Sequence, residues 1–98
     1  MVSQIQSQEK FYVKNRCGLH IAPAVLITKI LNQYPEITIK VRHGDEQVNG
    51  KSIMELMMLE AYCDAELVFT IEGGSMIEQR KLIHELNELF DRKFFEDG

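Results

Sequence analysis

Tryptophan is absent from these 98 residues, and cysteine and proline occur only twice each. Cys17 and Cys63 are too few for a disulfide framework, and a chain of this length buries a modest core without covalent or metal staples. Cys17 and His20 make a C-x-x-H spacing, but no second pair accompanies them, so neither a metal site nor a cofactor is expected. Such sparing use of cysteine reads as a reducing, cytoplasmic setting. Long apolar runs are missing too: nothing approaches the roughly 20 residues a membrane helix needs, and the opening MVSQIQSQEK lacks the basic start and apolar centre of a secretion signal. Positive charge is in short supply, with 11 Lys and Arg against 15 Asp and Glu for a net charge of -4. The summed field therefore repels phosphate backbones and anionic lipid, which makes nucleic acid and membrane insertion poor expectations.

What is there suits one soluble domain spanning 1-98: 45% apolar and 27% charged residues, with no repeat, linker or low-complexity segment. The core is expected from about residue 9 to 90, between a polar leader and a short tail. KFYVKN alternates Phe11 and Val13 against Tyr12 and Lys14, the period of a half-buried strand. IAPAVLITKILN, residues 21 to 32, repeats Ala24, Ile27 and Leu31 at helical spacing, and Pro23 fits only a first turn, so the helix starts just after His20. EITIKVR alternates again and HGDE turns the chain into QVN, which predicts a hairpin. Ser52 and Glu55 have capping-box spacing and open a short helix, AELVFTIE reads as a last strand, and Ser75 and Glu78 open a long helix with Leu82, Leu86 and Leu89 on its apolar stripe. The order β-α-β-β-α-β-α, with strands polar on one face, predicts an α+β fold: an open-faced β-sandwich whose four-stranded antiparallel sheet is covered on one face by three helices.

His20 stands where the first helix needs a cap, a place usually held by Ser, Thr, Asp or Asn. The sequence leaves two uses open. The ring can accept a free helix amide or pack in the loop. Alternatively, it can act as a nucleophile toward a phosphoryl group, whose charge would fall among the free amides of Ile21, Ala22 and Ala24 at the positive end of the helix dipole. Pro23 has no amide to give. Gly18 is either a turn residue or the point where the backbone, through its amide, comes close to a phosphoryl donor.

These residues carry a resemblance. GLHIAPA is similar to the G-L-H-A-R-P-A of the histidine-containing phosphocarrier (HPr) family of the bacterial phosphotransferase system, in its sugar or nitrogen branch. NGKSIMELMML is similar to that family's A-K-S-I-M-x-x-M-x-L, at the family's separation and in the same element order. The resemblance implies that His20 takes a phosphoryl group from enzyme I, which draws on phosphoenolpyruvate, and passes it to an enzyme IIA. It implies a relay protein without turnover of its own, and a carrier that shows one face to successive partners is expected to be a monomer. It also implies that Ser52 aligns with a serine phosphorylated by a dedicated kinase and phosphatase in many members, although Ser52 is equally explained as a helix cap.

One departure matters. The family's arginine two places after the histidine is Ala22 here, so a charge-assisted contact of about 1.5–3 kcal/mol is missing and slower transfer is expected. Arg16 is the candidate substitute, against its reading as a solvated loop charge, and Lys14 is a weaker one. On the short helix, Ile53, Leu56 and Leu59 form one stripe and Met54, Met57 and Met58 another. Either both stripes thicken the core, or the methionines are exposed and Ile53, Met54 and Met57 form a docking patch. The competing function is a regulatory adaptor of the same fold that works through Ser52 or docking, with His20 slow or silent. His43 and His84 are expected to be solvent-exposed.

Overall fold

The computed structural model describes residues 5–96, and the elements follow the order read from the sequence. Strand β1 (Gln6–Tyr12) is followed by helix α1 (Ile21–Leu31), strands β2 (Ile37–His43) and β3 (Glu46–Asn49), helix α2 (Ile53–Met58), strand β4 (Glu66–Gly73) and helix α3 (Met76–Asp91), then a 3-10 turn at Lys93–Phe95. The four strands form one antiparallel sheet in the order β1-β4-β2-β3. The last strand thus enters between the first two, and its central place explains why it is the most apolar of the four.

Period-two alternation decides the two sides of the sheet. Phe11, Ile37, Ile39, Val41, Leu67, Phe69 and Ile71 are buried under the helices, while Lys10, Tyr12, Lys40 and Arg42 are exposed on the open face. The helices complete the core with Ala24, Ile27 and Leu31 from α1, Leu56 from α2, and Leu82, Leu86, Leu89 and Phe90 from α3. The hairpin closes on a two-residue turn, with Gly44 at φ 61°, as a tight β-hairpin requires. Among the described residues, no helix is long and apolar enough to cross a membrane.

Two local expectations change. Strand β1 begins at Gln6, inside the stretch read as a polar leader, because Gln6 to Glu9 pair with Glu72 to Phe69 of β4. The backbone ladder needs no apolar side chain, so this part of the edge strand carries no hydropathy signal. Gln79 holds the start of the strand: its buried amide donates to the Ile5 carbonyl at 3.0 Å and the Gly73 carbonyl at 2.8 Å, and its oxygen accepts from the Ser7 hydroxyl at 2.6 Å. The second change concerns Ser52. Its hydroxyl accepts from the Glu55 amide at 3.2 Å, but the Glu55 carboxylate accepts from the Asn49 amide at 3.1 Å and not from the cap residue. Only half of the expected box forms there, since the Ser52 amide already donates to the Asn49 carbonyl. At Ser75 and Glu78 both halves form.

Tyr34, buried after α1, donates its hydroxyl to the Glu85 carboxylate of α3. Burial first, and then that carboxylate, push the phenol well above its ordinary range. The folded state therefore binds the proton more tightly than the unfolded chain. The stabilisation is fully present below about pH 10, the unfolded value, and is lost as pH rises beyond it. In denaturant titrations from pH 8 to 11, the stability advantage of the wild type over Tyr34→Phe should hold steady to about pH 10 and then shrink; an advantage that stays constant to pH 11 would contradict this.

Candidate functional site

The loop from β1 to α1 is shaped by Gly18. Its φ of 73° is one that other residues adopt with strain, and a Cβ there would lie 2.7 Å from the Ala61 carbonyl oxygen and 3.0 Å from the Tyr62 Cα. Glycine is required so that this loop can press against the α2–β4 connection, where Leu19 donates its amide to the Ala61 carbonyl at 2.8 Å and buries its side chain. Gly18 does not offer its own amide to a ligand, because that amide donates to the Asn15 carbonyl at 3.2 Å. Gly18→Ala should cost at least ~1–2 kcal/mol for the left-handed backbone alone, with the carbonyl clash added to it. Urea unfolding tests this, and an unchanged midpoint would contradict the packing account.

With Leu19 anchored, His20 falls at the cap of α1 in extended conformation (φ -93°, ψ -166°). The ring makes no capping hydrogen bond, so it does not serve as an acceptor for a free helix amide. The His20 carbonyl accepts the Ala24 amide at 3.1 Å, so Ala24 is not a free donor. Pro23 has none, and the Ile21 and Ala22 amides remain without a partner among the described residues. Both residues are exposed. No acidic side chain occupies the first turn, leaving the helix's positive end uncompensated there.

The ring's partner is Glu96. His20 Nε2 lies 2.6 Å from Glu96 Oε2, with side-chain exposures of 38% and 24%. Glu96 Oε1 accepts from Asn15 Nδ2 at 2.8 Å, and the same amide donates to the Gly18 carbonyl at 2.7 Å. Asn15 is fully buried, and because both of its partners are acceptors its nitrogen must face them. Its oxygen has no hydrogen-bond partner among the described residues. The 3-10 turn delivers Glu96 to this place. Lys93, Phe94 and Phe95 all have positive φ, and buried Phe94 packs against Phe90 with ring centroids 4.8 Å apart, offsetting the strain of the turn.

Of the other site residues named from sequence, Arg16 is exposed in the turn and its side chain makes no hydrogen bond or ion pair with another described residue. Lys14 turns toward Asp91, at 3.6 Å. A shallow hollow beside His20 is lined by Cys17, Leu19, Met57, Glu60 and Tyr62. On α2, Leu56 is buried and Ile53 half-buried, whereas Met54, Met57 and Met58 are exposed, so the methionines do not thicken the core. Ser52 is half-buried at the cap. His84 is exposed and lies 3.5 Å from Glu88, but His43 is half-buried, with Nδ1 3.0 Å from the Leu59 carbonyl, contrary to the sequence reading.

The comparisons with known proteins agree on one family and one fold. The family model described as the PTS HPr component phosphorylation site matches residues 7–92. The chain belongs to the HPr family. It is 34% identical over 85 residues to the phosphocarrier protein HPr of Treponema pallidum, covering 87% of this chain and 92% of that protein. The crystal structure of an HPr from Thermoanaerobacter tengcongensis superposes with a TM-score of 0.80 at 27% identity, over 94% of this chain and 99% of that one. A domain-sized likeness extends to a larger protein: the phosphoryl donor subunit DhaM of the PEP-dependent dihydroxyacetone kinase of Providencia stuartii is 27% identical over 87% of this chain but only 17% of its own length. HPr-family proteins are phosphoryl relays of the phosphotransferase system, and the open-faced sandwich is their fold.

Asn15 and Glu96 were missed from sequence. Asn15 sits among polar loop residues with nothing to mark it as buried. Glu96 lies in the short tail outside the expected core, where the paired aromatics Phe94 and Phe95 are the available sign of an anchored turn.

Proposed function

We propose that this chain is a phosphocarrier of the phosphoenolpyruvate-dependent phosphotransferase system, taking a phosphoryl group on His20 from enzyme I and passing it to an enzyme IIA. The observation that carries the reading is a half-exposed imidazole at a helix N-terminus, beside the unpartnered Ile21 and Ala22 amides. Glu96 occupies Nε2, so the Nδ1 lone pair is the nucleophile. It attacks phosphorus, the Nδ1–P bond forms, and the bond to the donor's leaving atom breaks with its electron pair staying on the donor. The transferred charge falls near the two amides and the helix dipole, which stabilise it by position without a metal.

Ala22 brings an amide but no guanidinium, and so transfer is expected to be slower than with arginine at this position. Arg16 is proposed as a partial substitute, and exposed Met54 and Met57, with Ile53 at their edge, as the surface that meets enzyme I and the acceptors. Phosphorylation of Ser52 by an HPr kinase is a subsidiary proposal. It rests on the place of Ser52 at the start of α2, where its hydroxyl is half-buried and accepts from the Glu55 amide. The protein is proposed to act as a single cytoplasmic domain and as a monomer, without independent turnover.

The deciding experiment is incubation with phosphoenolpyruvate and active enzyme I, read by phosphorus NMR and acid lability. An acid-labile phosphoimidazole supports the carrier. Its absence, with enzyme I shown active on another carrier, moves the function to a regulatory adaptor and makes Ser52 labelling the next test.

A further inference from the structure

Glu96 is the one ion-pair partner that His20 has among the described residues, and it lies beyond residues 7–92 that match the family model. Its two oxygens are both committed, one to the ring and one to the buried amide of Asn15, which is itself tied to the Gly18 carbonyl. Buried Phe94 seats the turn that carries it. The arrangement is a chain from a fully buried amide through a carboxylate to an imidazole nitrogen.

We infer that Glu96, oriented by Asn15, is a positioning residue for phosphoryl transfer: it accepts a hydrogen bond from His20 Nε2–H, leaves the Nδ1 lone pair free to attack and stabilises the cationic ring of the phosphorylated form. The inference rests on the carrier reading for its biological setting, but its chemistry is that of the ring itself. A neutral imidazole exists as two tautomers, and a carboxylate at Nε2 selects the one whose proton is there. When Nδ1 gains the phosphoryl group, no proton has to move. The ring simply becomes cationic, with its N–H still donating to Glu96, a stronger hydrogen bond than the neutral ring makes. The carboxylate meets the ring at Nε2, on the other side from Nδ1, where the incoming phosphate binds, and half-exposure to solvent screens the repulsion between the two anions.

The test uses the full chain, wild type and Glu96→Ala, with phosphoramidate as a phosphoryl donor that needs no partner protein. In that reaction the His20 Nδ1–P bond forms while the donor's P–N bond breaks, its electron pair leaving with ammonia. Phosphorus NMR follows the rate, and nitrogen-15 proton NMR of the free protein reads the ring. The expected wild-type signature is a low-field, slowly exchanging Nε2 proton. In Glu96→Ala that resonance should vanish into exchange with water, the amide resonances of α1 should keep their dispersion, and labelling at Nδ1 should slow by about tenfold or more, as for loss of a charge-assisted hydrogen bond.

A wild-type labelling rate in Glu96→Ala overturns the inference, as does persistence of the low-field proton in the variant. Failure of phosphoramidate to label wild-type His20 overturns it as well. Labelling by phosphoramidate without any by enzyme I would leave the role of Glu96 standing and remove only the carrier reading, so the two failures are distinguishable.

Discussion

Replacing His20 by alanine should abolish acid-labile labelling from phosphoenolpyruvate and enzyme I while leaving stability almost unchanged. The chemical half follows from the site: alanine offers no nucleophile, and no second imidazole stands in this loop. His43 is tied to the Leu59 carbonyl in the hairpin, and His84 is on α3 beside Glu88. The energetic half follows from what the ring does not do. It caps no amide, it is more than a third exposed, and its partner Glu96 can turn to water. The helix therefore loses little, within about 1 kcal/mol, the range for surface positions without a capping or packing role. Phosphorus NMR and a urea titration on the same preparation check both halves. Residual phosphohistidine in the variant would show that another residue carries the group, and a large stability loss would show that the ring is structural.

Phe69→Ala should do the reverse. Phe69 is fully buried on the central strand, with ring centroids 5.0 Å from Phe11 and 6.0 Å from Phe90, both edge-to-face, and Phe11 and Phe90 stack at 4.9 Å. Truncation removes the transfer energy of a whole ring and leaves a cavity that three elements border, a loss of about 3–5 kcal/mol. A domain of this size has a total stability on the order of 5–15 kcal/mol, so the variant should be unfolded or close to it at room temperature. The same aromatic cluster continues through Phe90 to Phe94, which seats the turn that carries Glu96. Partial unfolding should therefore loosen Glu96 from His20 before any site residue is touched. Urea titration by circular dichroism gives the magnitude, and a midpoint shift worth less than about 1.5 kcal/mol would mean that neighbouring side chains collapse into the space.

Much of this was legible in one dimension because the patterns are local. The strand KFYVKN, the hairpin around Gly44, the caps at Ser52 and Ser75 and the stripe of α3 are decided by alternation, turn chemistry and three-residue spacings. The GLHIAPA segment placed an imidazole at a helix start, and the helix does start there. Less legible was anything whose signal is backbone pairing or distant contact. Gln6 to Glu9 are polar and become strand because β4 is beside them, and the Glu55 carboxylate goes to Asn49 because the loop before α2 brings that amide within reach. Gly18 could be read as a turn residue or as part of an anion site, and only the carbonyl of Ala61, 43 residues away in sequence, shows that close backbone packing decides it.

By itself, then, the sequence determined the element order, the buried face of the strands and of the two longer helices, and the candidate nucleophile, since these depend on periodicity and on residues within one helical turn of each other. The tertiary structure alone decided which amides at the head of α1 stay free and what holds the His20 ring. Asn15 and Glu96 are 81 residues apart and meet only because the aromatic core folds the turn after α3 back over the first loop. No short-range pattern encodes such a meeting: the burial of Phe94, summed with the rest of the core, brings it about.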